Sequence, residues 1–127
     1  MAEVRVEKQV ASPPAKVWDR IGDFQGLHLW AVGVPPMESA EDGKIRKIGA
    51  GENAIVEELV EQGESSYTYR ILQGPLPVLN YVATLAVLPA GDGCRIEWTA
   101  KFDAEGVPEE QAIMILENIF NAGLANL

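Results

Sequence analysis

The residues able to do chemistry are few and widely spaced. Glu57 sits in "NAIVEELVE" (53–61), where alternation puts Ile55, Glu57 and Leu59 on one face and Ala54, Val56, Glu58 and Val60 on the other. Both faces carry an acid, so alternation alone leaves open which one faces inward. A carboxyl turned into an apolar space has its pKa pushed up and can act as a general acid or base. Paired with a buried cation, it would instead stay charged. Arg46, in "KIRKIG", is the candidate partner and points opposite to Ile45 and Lys47. Burying an arginine without a carboxylate is costly. An inward Arg46–Glu57 pair would form a polar end that orients a carboxylate, carbonyl or phenol. The alternative is an exposed arginine on the convex sheet face, and a Glu57 that also faces solvent.

The aromatic residues offer walls with polar tips. Tyr67 and Tyr69 share a strand face, Tyr81 is in step with Ala83 and Leu85, and Trp98 is in step with Ile96 and Ala100. Buried tyrosine hydroxyls and indole N–H groups need partners, so these side chains suit either a cavity wall or plain core packing. His28 and Trp30 occur in "GLHLW". A histidine near a cavity mouth can shuttle protons, but its place in a connection reads as partly exposed. Cys94, beside a turn, reads as structural. With one histidine, neither a Ser-His-Asp nor a Cys-His arrangement can be assembled. With one cysteine, an intramolecular disulfide is excluded and soft metal ligands are too few. "GAGEN" (49–53) lacks the Walker lysine and the dinucleotide fingerprint, so its glycines read as a turn. No cofactor and no metal are expected.

These side chains need elements to position them. Glu3 to Ala11 alternates as a half-buried strand. In "SPPAKVWDRIGDF", Ser12 reads as an N-cap and Pro13 as the first residue of a short helix with Val17 and Ile21 inward. A second helical turn is predicted over Gly26 to Trp30. Strands follow at Val34–Ala40, Lys44–Ile48, Asn53–Glu61, Ser66–Gln73, Leu79–Leu88 and Cys94–Phe102, separated by turn residues in the manner of an antiparallel meander. From Pro108 a long helix runs to the terminus, spanning roughly 30 Å at 1.5 Å per residue. It is so apolar that the sheet must largely cover it. Gly123 shares a stripe with Ile115 and Ile119; there it leaves room for a ligand or another backbone, or begins fraying. Between two of the strands lies "GPLPVLNY" (74–81). Its prolines stiffen the backbone, and Leu76 and Val78 are held out as apolar side chains.

The chain has 127 residues, enough for one domain with a real core over residues 1–127. Its net charge of −9 disfavours nucleic acid and anionic membranes, which need a basic face. No apolar run approaches the roughly 20 residues of a membrane span, and the N-terminus lacks a signal-peptide core. A soluble cytoplasmic protein is expected.

The segments "ASPPAKVWDRIGDF", "KIRKIGAGENAIVEELVE", "SYTYRI", "PLPVLNYVATLAV" and "CRIEWTAKF", with Trp30 and the final helix ending "GLANL", resemble the START-like, or Bet v 1-like (SRPBCC), superfamily. Within it the resemblance is to the polyketide cyclase/dehydratase-type group, related to the plant abscisic-acid receptors. It implies an α+β helix-grip fold: a curved seven-stranded antiparallel sheet around a long C-terminal helix, two short helices after strand 1, and an apolar cavity between sheet and helix. It also implies that Glu57 and Tyr81 face that cavity, and that "GAGEN" and "GPLPVLNY" lie at its mouth. The receptors' Ser-Gly-Leu-Pro-Ala gate and His-Arg latch are absent. The expected ligand-binding set is Trp30, Arg46, Glu57, Tyr69, Leu76, Val78, Tyr81, Trp98, Ile115, Ile119 and Gly123, with Glu57 as catalytic candidate.

Three functions stay open: binding of a small apolar, aromatic, polyketide- or lipid-like molecule; a cyclase, aromatase or dehydratase using Glu57, Tyr69 and Tyr81; or an interaction module whose core is filled. The thin catalytic set favours binding, although a shaped cavity can also promote cyclisation by positioning.

Overall fold

A computed structural model describes residues 1–49 and 51–127. The chain runs through β1 (Ala2–Val10), α1 (Pro14–Ile21), a 3-10 turn (Phe24–Gly26), α2 (Leu27–Trp30), β2 (Met37–Ala40), β3 (Ile45–Ile48), β4 (Ile55–Gln62), β5 (Ser66–Gln73), β6 (Val78–Ala90), β7 (Gly93–Ala104) and α3 (Glu109–Leu124). The seven strands form one antiparallel sheet in the order β1-β7-β6-β5-β4-β3-β2. Each strand from β2 to β7 pairs with its sequence neighbour, and β1 closes against β7. This is the α+β helix-grip arrangement expected from the sequence.

Alternation builds the inner face. Ala2, Val4 and Val6 of β1, Tyr81, Ala83, Leu85 and Val87 of β6, and Cys94, Ile96, Trp98, Ala100 and Phe102 of β7 are buried. The charged residues between them, such as Arg5 and Lys101, are exposed. Over this face lies α3, docking Ala112, Leu116, Phe120, Gly123 and Leu124 into the core. Its C-terminus is held by Lys8, whose Nζ donates to the carbonyls of Leu124 (2.9 Å) and Ala125 (3.2 Å). A cation there also complements the negative end of the helix dipole.

Several boundaries move for physical reasons. The proline pair shifts α1 by one residue: Pro13 takes the extended N-cap conformation (φ −60°, ψ 149°) and Pro14 opens the helix. The strand expected from Val34 begins only at Met37, because Pro35 and Pro36 have no N–H for the ladder. The residues before it form a connection instead. The helix α3 stays helical through Gly123 and ends at Leu124. It is less covered than its composition suggests, since Met114 is 61% and Ile119 41% exposed.

One irregularity aims a side chain. Between Leu79 and Val82, β6 carries one residue more than β7 opposite it. The extra residue is absorbed at Asn80, whose φ is +55°, a left-handed conformation that asparagine tolerates better than most residues. Asn80 Nδ2 donates to Asp103 Oδ2 across the strands at 3.0 Å. Past this bulge the alternation resets and Tyr81 is buried.

Candidate functional site

Between the inner face of the sheet, α3 and the α2–β2 connection lies a cavity of about 440 Å³. Most of its wall is apolar. Leu27 and the segment 31–35 form one side, Ile48 and Ile55 another, and Leu116, Ile119 and Phe120 of α3 the roof. The rim is itself apolar and open to solvent, with Val32 42% and Ile119 41% exposed.

The polar corner is built by β3 and β4. Register places Arg46 directly opposite Glu57, and both line the cavity. Arg46 is 0% exposed and Glu57 5%, so the inward orientation applies to both. Glu58, the other acid of that strand, faces outward and pairs with Arg70. Arg46 Nε donates to Glu57 Oε1 at 2.7 Å. Its Nη1 donates to the Phe24 carbonyl at 2.9 Å and to Tyr67 Oη at 3.3 Å. Phe24 is brought over the strand by Gln25, whose Nε2 donates to the carbonyls of Gly43 and Ile45 at 2.7 and 2.9 Å. The guanidinium is sandwiched between aromatic faces, 4.1 Å from the Phe24 ring centre and 4.7 Å from that of Tyr69, a stacking that suits arginine better than lysine. Among the described residues its Nη2 is buried without a hydrogen-bond partner.

Burial is the largest single influence on Arg46 and weakens its charge, but Glu57 together with Tyr67 and Tyr69 outweighs it and raises the guanidinium above its ordinary range. Burial pushes the Glu57 carboxyl up, against the opposing charge and hydrogen bond of Arg46. The corner is thus a buried pair whose acid is poised to hold a proton more readily than an exposed glutamate.

A second polar group continues from this corner. Trp98 Nε1 donates to Tyr69 Oη at 3.0 Å, and the Tyr69 and Tyr81 hydroxyls lie 3.4 Å apart. All three residues line the cavity. Burial, first among the causes, raises the hydroxyl pKa of both tyrosines. Trp98 is fixed from above by stacking on Phe120, with ring centres 4.4 Å apart and planes within 5°.

Leu76, Ile119 and Gly123 also lie on the wall, so the stiff 74–77 connection does hold an apolar side chain at the cavity. Three expected residues lie elsewhere. Trp30 is buried behind the wall against Trp98, with ring centres 5.8 Å apart. Val78 belongs to β6, where it pairs with Ala104 and packs on the core instead of the cavity wall. Ile115 is off the lining, since the helix docks through the Ala112–Leu116–Phe120 stripe. Gly123 does admit a close neighbour: a Cβ there would sit 3.0 Å from the Trp98 ring. His28 is exposed. Ala50, within the expected "GAGEN" rim, lies outside the described residues. Unforeseen from sequence was the wall at 31–35; its signal was the apolar "AVGVP" stretch in a segment too proline-rich to pair as a strand. Among the described residues no cluster of metal-ligating side chains occurs, and no helix is long and apolar enough to cross a membrane.

Fold and cavity together place the chain in a class of proteins, and sequence comparison gives the family. The profile described as "Polyketide cyclase / dehydrase and lipid transport" matches residues 1–127, and the chain belongs to that family. Its structure is similar to that of the protein XoxI from Bacillus cereus, at 30% identity and a TM-score of 0.93, covering 99% of this chain and 92% of that one. A Thermobifida fusca protein solved by NMR is 34% identical, with a TM-score of 0.90 and coverage of 100% and 91%. A START superfamily protein from Mycobacterium smegmatis shares the fold at 11% identity and a TM-score of 0.76, covering 94% of this chain and 90% of that one. No curated protein matches the chain.

Proposed function

We propose that the protein binds a small apolar molecule, aromatic, polyketide-like or lipid-like, between the sheet and α3. The observation that carries this is the cavity of about 440 Å³, apolar over most of its wall and polar at one corner. Its size lies within the range of small-molecule sites, and its few convergent polar groups fit the usual design of such sites. A space of that volume argues against a filled-core interaction module. The family description, which joins cyclase/dehydrase activity with lipid transport, supports an apolar ligand and leaves its identity open.

The neutral dye Nile red tests this. Its fluorescence is expected to rise on mixing with the protein and to stay at the free-dye level with Ala122→Trp, which places a bulky ring at the cavity wall from an exposed helix position. An equal rise with both proteins would refute the reading.

A second reading, proton transfer during cyclisation or dehydration, is favoured by one observation: burial pushes the Glu57 carboxyl upward at the cavity wall. Glu57→Gln separates the two, sparing binding in a carrier and abolishing turnover in an enzyme.

A further inference from the structure

Resting on the reading of the cavity as an apolar ligand site, we infer that its ligand is a neutral molecule presenting a hydrogen-bond-accepting carbonyl to the corner formed by Arg46, Tyr69 and Tyr81. The inference comes from counting protons. The Trp98 indole can only donate, so Tyr69 Oη is the acceptor of that 3.0 Å bond. The Tyr69 and Tyr81 hydroxyls then hold two protons and share one bond at 3.4 Å. Whichever hydroxyl donates, the proton of the other has no acceptor among the described residues. Arg46 Nη2 adds further N–H groups that are buried and unpartnered among the described residues. Arg46, Tyr69 and Tyr81 all line the cavity.

The corner thus has surplus donors, and leaving them unsatisfied once a ligand has displaced water is costly. An acceptor oxygen on the ligand meets that need. Charge then selects among acceptors. Glu57 Oε1, 2.7 Å from Arg46 Nε, already answers the guanidinium. A ligand carboxylate would give up its water beside a second carboxylate, with no cation of its own. A ketone oxygen takes the same protons without that cost. The remaining wall is apolar and partly aromatic, suited to a ring skeleton around the carbonyl.

Three probes with one tricyclic skeleton test this: 9-fluorenone, fluorene and fluorene-9-carboxylate, each titrated into the whole protein at neutral pH. Fluorenone is expected to bind about tenfold tighter than fluorene, the scale of one net hydrogen bond, and the carboxylate to bind weakest. The carbonyl stretch of bound fluorenone is expected at lower wavenumber than in hexane. It should move back toward the hexane value in a Tyr69→Phe/Tyr81→Phe double variant whose fluorene affinity shows that the cavity is intact. Equal affinity for fluorene and fluorenone, an unshifted stretch, or tightest binding of the carboxylate overturns this inference and leaves apolar binding standing. Failure of all three probes to bind overturns both.

Discussion

Arg46 Nε and Glu57 Oε1 lie 2.7 Å apart across neighbouring strands, with both side chains buried at the cavity wall. The pair is a charged corner in a largely apolar space, and its energetics are asymmetric. Removing one partner strands the other charge, whereas removing both exchanges an ion pair for hydrophobic packing. Glu57→Leu or Arg46→Met alone is therefore expected to lower the unfolding free energy by about 3–5 kcal/mol, and the Arg46→Met/Glu57→Leu double variant by much less. Urea denaturation of the wild type, both single variants and the double variant checks this; additive losses would contradict a coupled pair.

Gly123 illustrates a conflict between helix propensity and packing. Alanine would gain about 1 kcal/mol in the helix, but its Cβ would meet the Trp98 ring at 3.0 Å. That ring is stacked on Phe120 and packed against Trp30, so it has little room to retreat. Overpacking costs about 1–3 kcal/mol, and Gly123→Ala is expected to be net destabilising by about 1 kcal/mol. A rise in thermal midpoint would show that the ring yields freely.

Asn80 sets the aim of Tyr81. With φ at +55°, Asn80→Val would place a β-branched residue in the left-handed region, at a cost of about 1–2 kcal/mol, and Asn80→Gly would relieve that strain. Chemical denaturation is expected to rank glycine well above valine. Similar stabilities for the two variants would mean that the bulge relaxes when the side chain changes.

The chain has three tyrosines, Tyr67, Tyr69 and Tyr81, all of them buried. Burial raises all three hydroxyls above the ordinary 10.0. Each therefore holds its proton in the folded state at a pH where the unfolded chain has begun to lose it. Stability from this source is full below the unfolded value and falls as pH rises beyond it. Absorbance at the tyrosinate band is expected to stay flat through pH 10 and then rise together with loss of the far-ultraviolet circular dichroism signal. A smooth titration centred near 10 in the folded protein would contradict the burial.

Much of this arrangement was legible in the chain. Alternation located the strands, and the resemblance turned Glu57 rather than Glu58 toward the interior, a choice that one acid on each face had left undecided. What stayed hidden has physical causes. In α3 apolar residues fall on more than one face, so the stripe Ile115–Ile119–Gly123 reads as well as Ala112–Leu116–Phe120; docking buries the second, keeps Ile119 and Gly123 at the cavity and leaves Ile115 off its wall. A bulge at one asparagine resets the alternation and turns both Val78 and Tyr81 inward although they are three residues apart, which no count of alternating residues reveals. Of the wall at 31–35, Val34 and Pro35 fall within the strand expected over Val34–Ala40, although Pro35 and Pro36 cannot pair. Partnership was equally invisible: the bond from Trp98 to Tyr69 spans residues on strands that are not neighbours.

The central claim is that the space beneath α3 holds an apolar ligand. Native mass spectrometry of the wild type and of Ala122→Trp, each as purified and after adding a panel of apolar aromatic and lipid-like compounds, tests it most directly. The account predicts a retained or added mass on the wild type that the plugged variant lacks. Adducts equal on both proteins, or none on either, would contradict it.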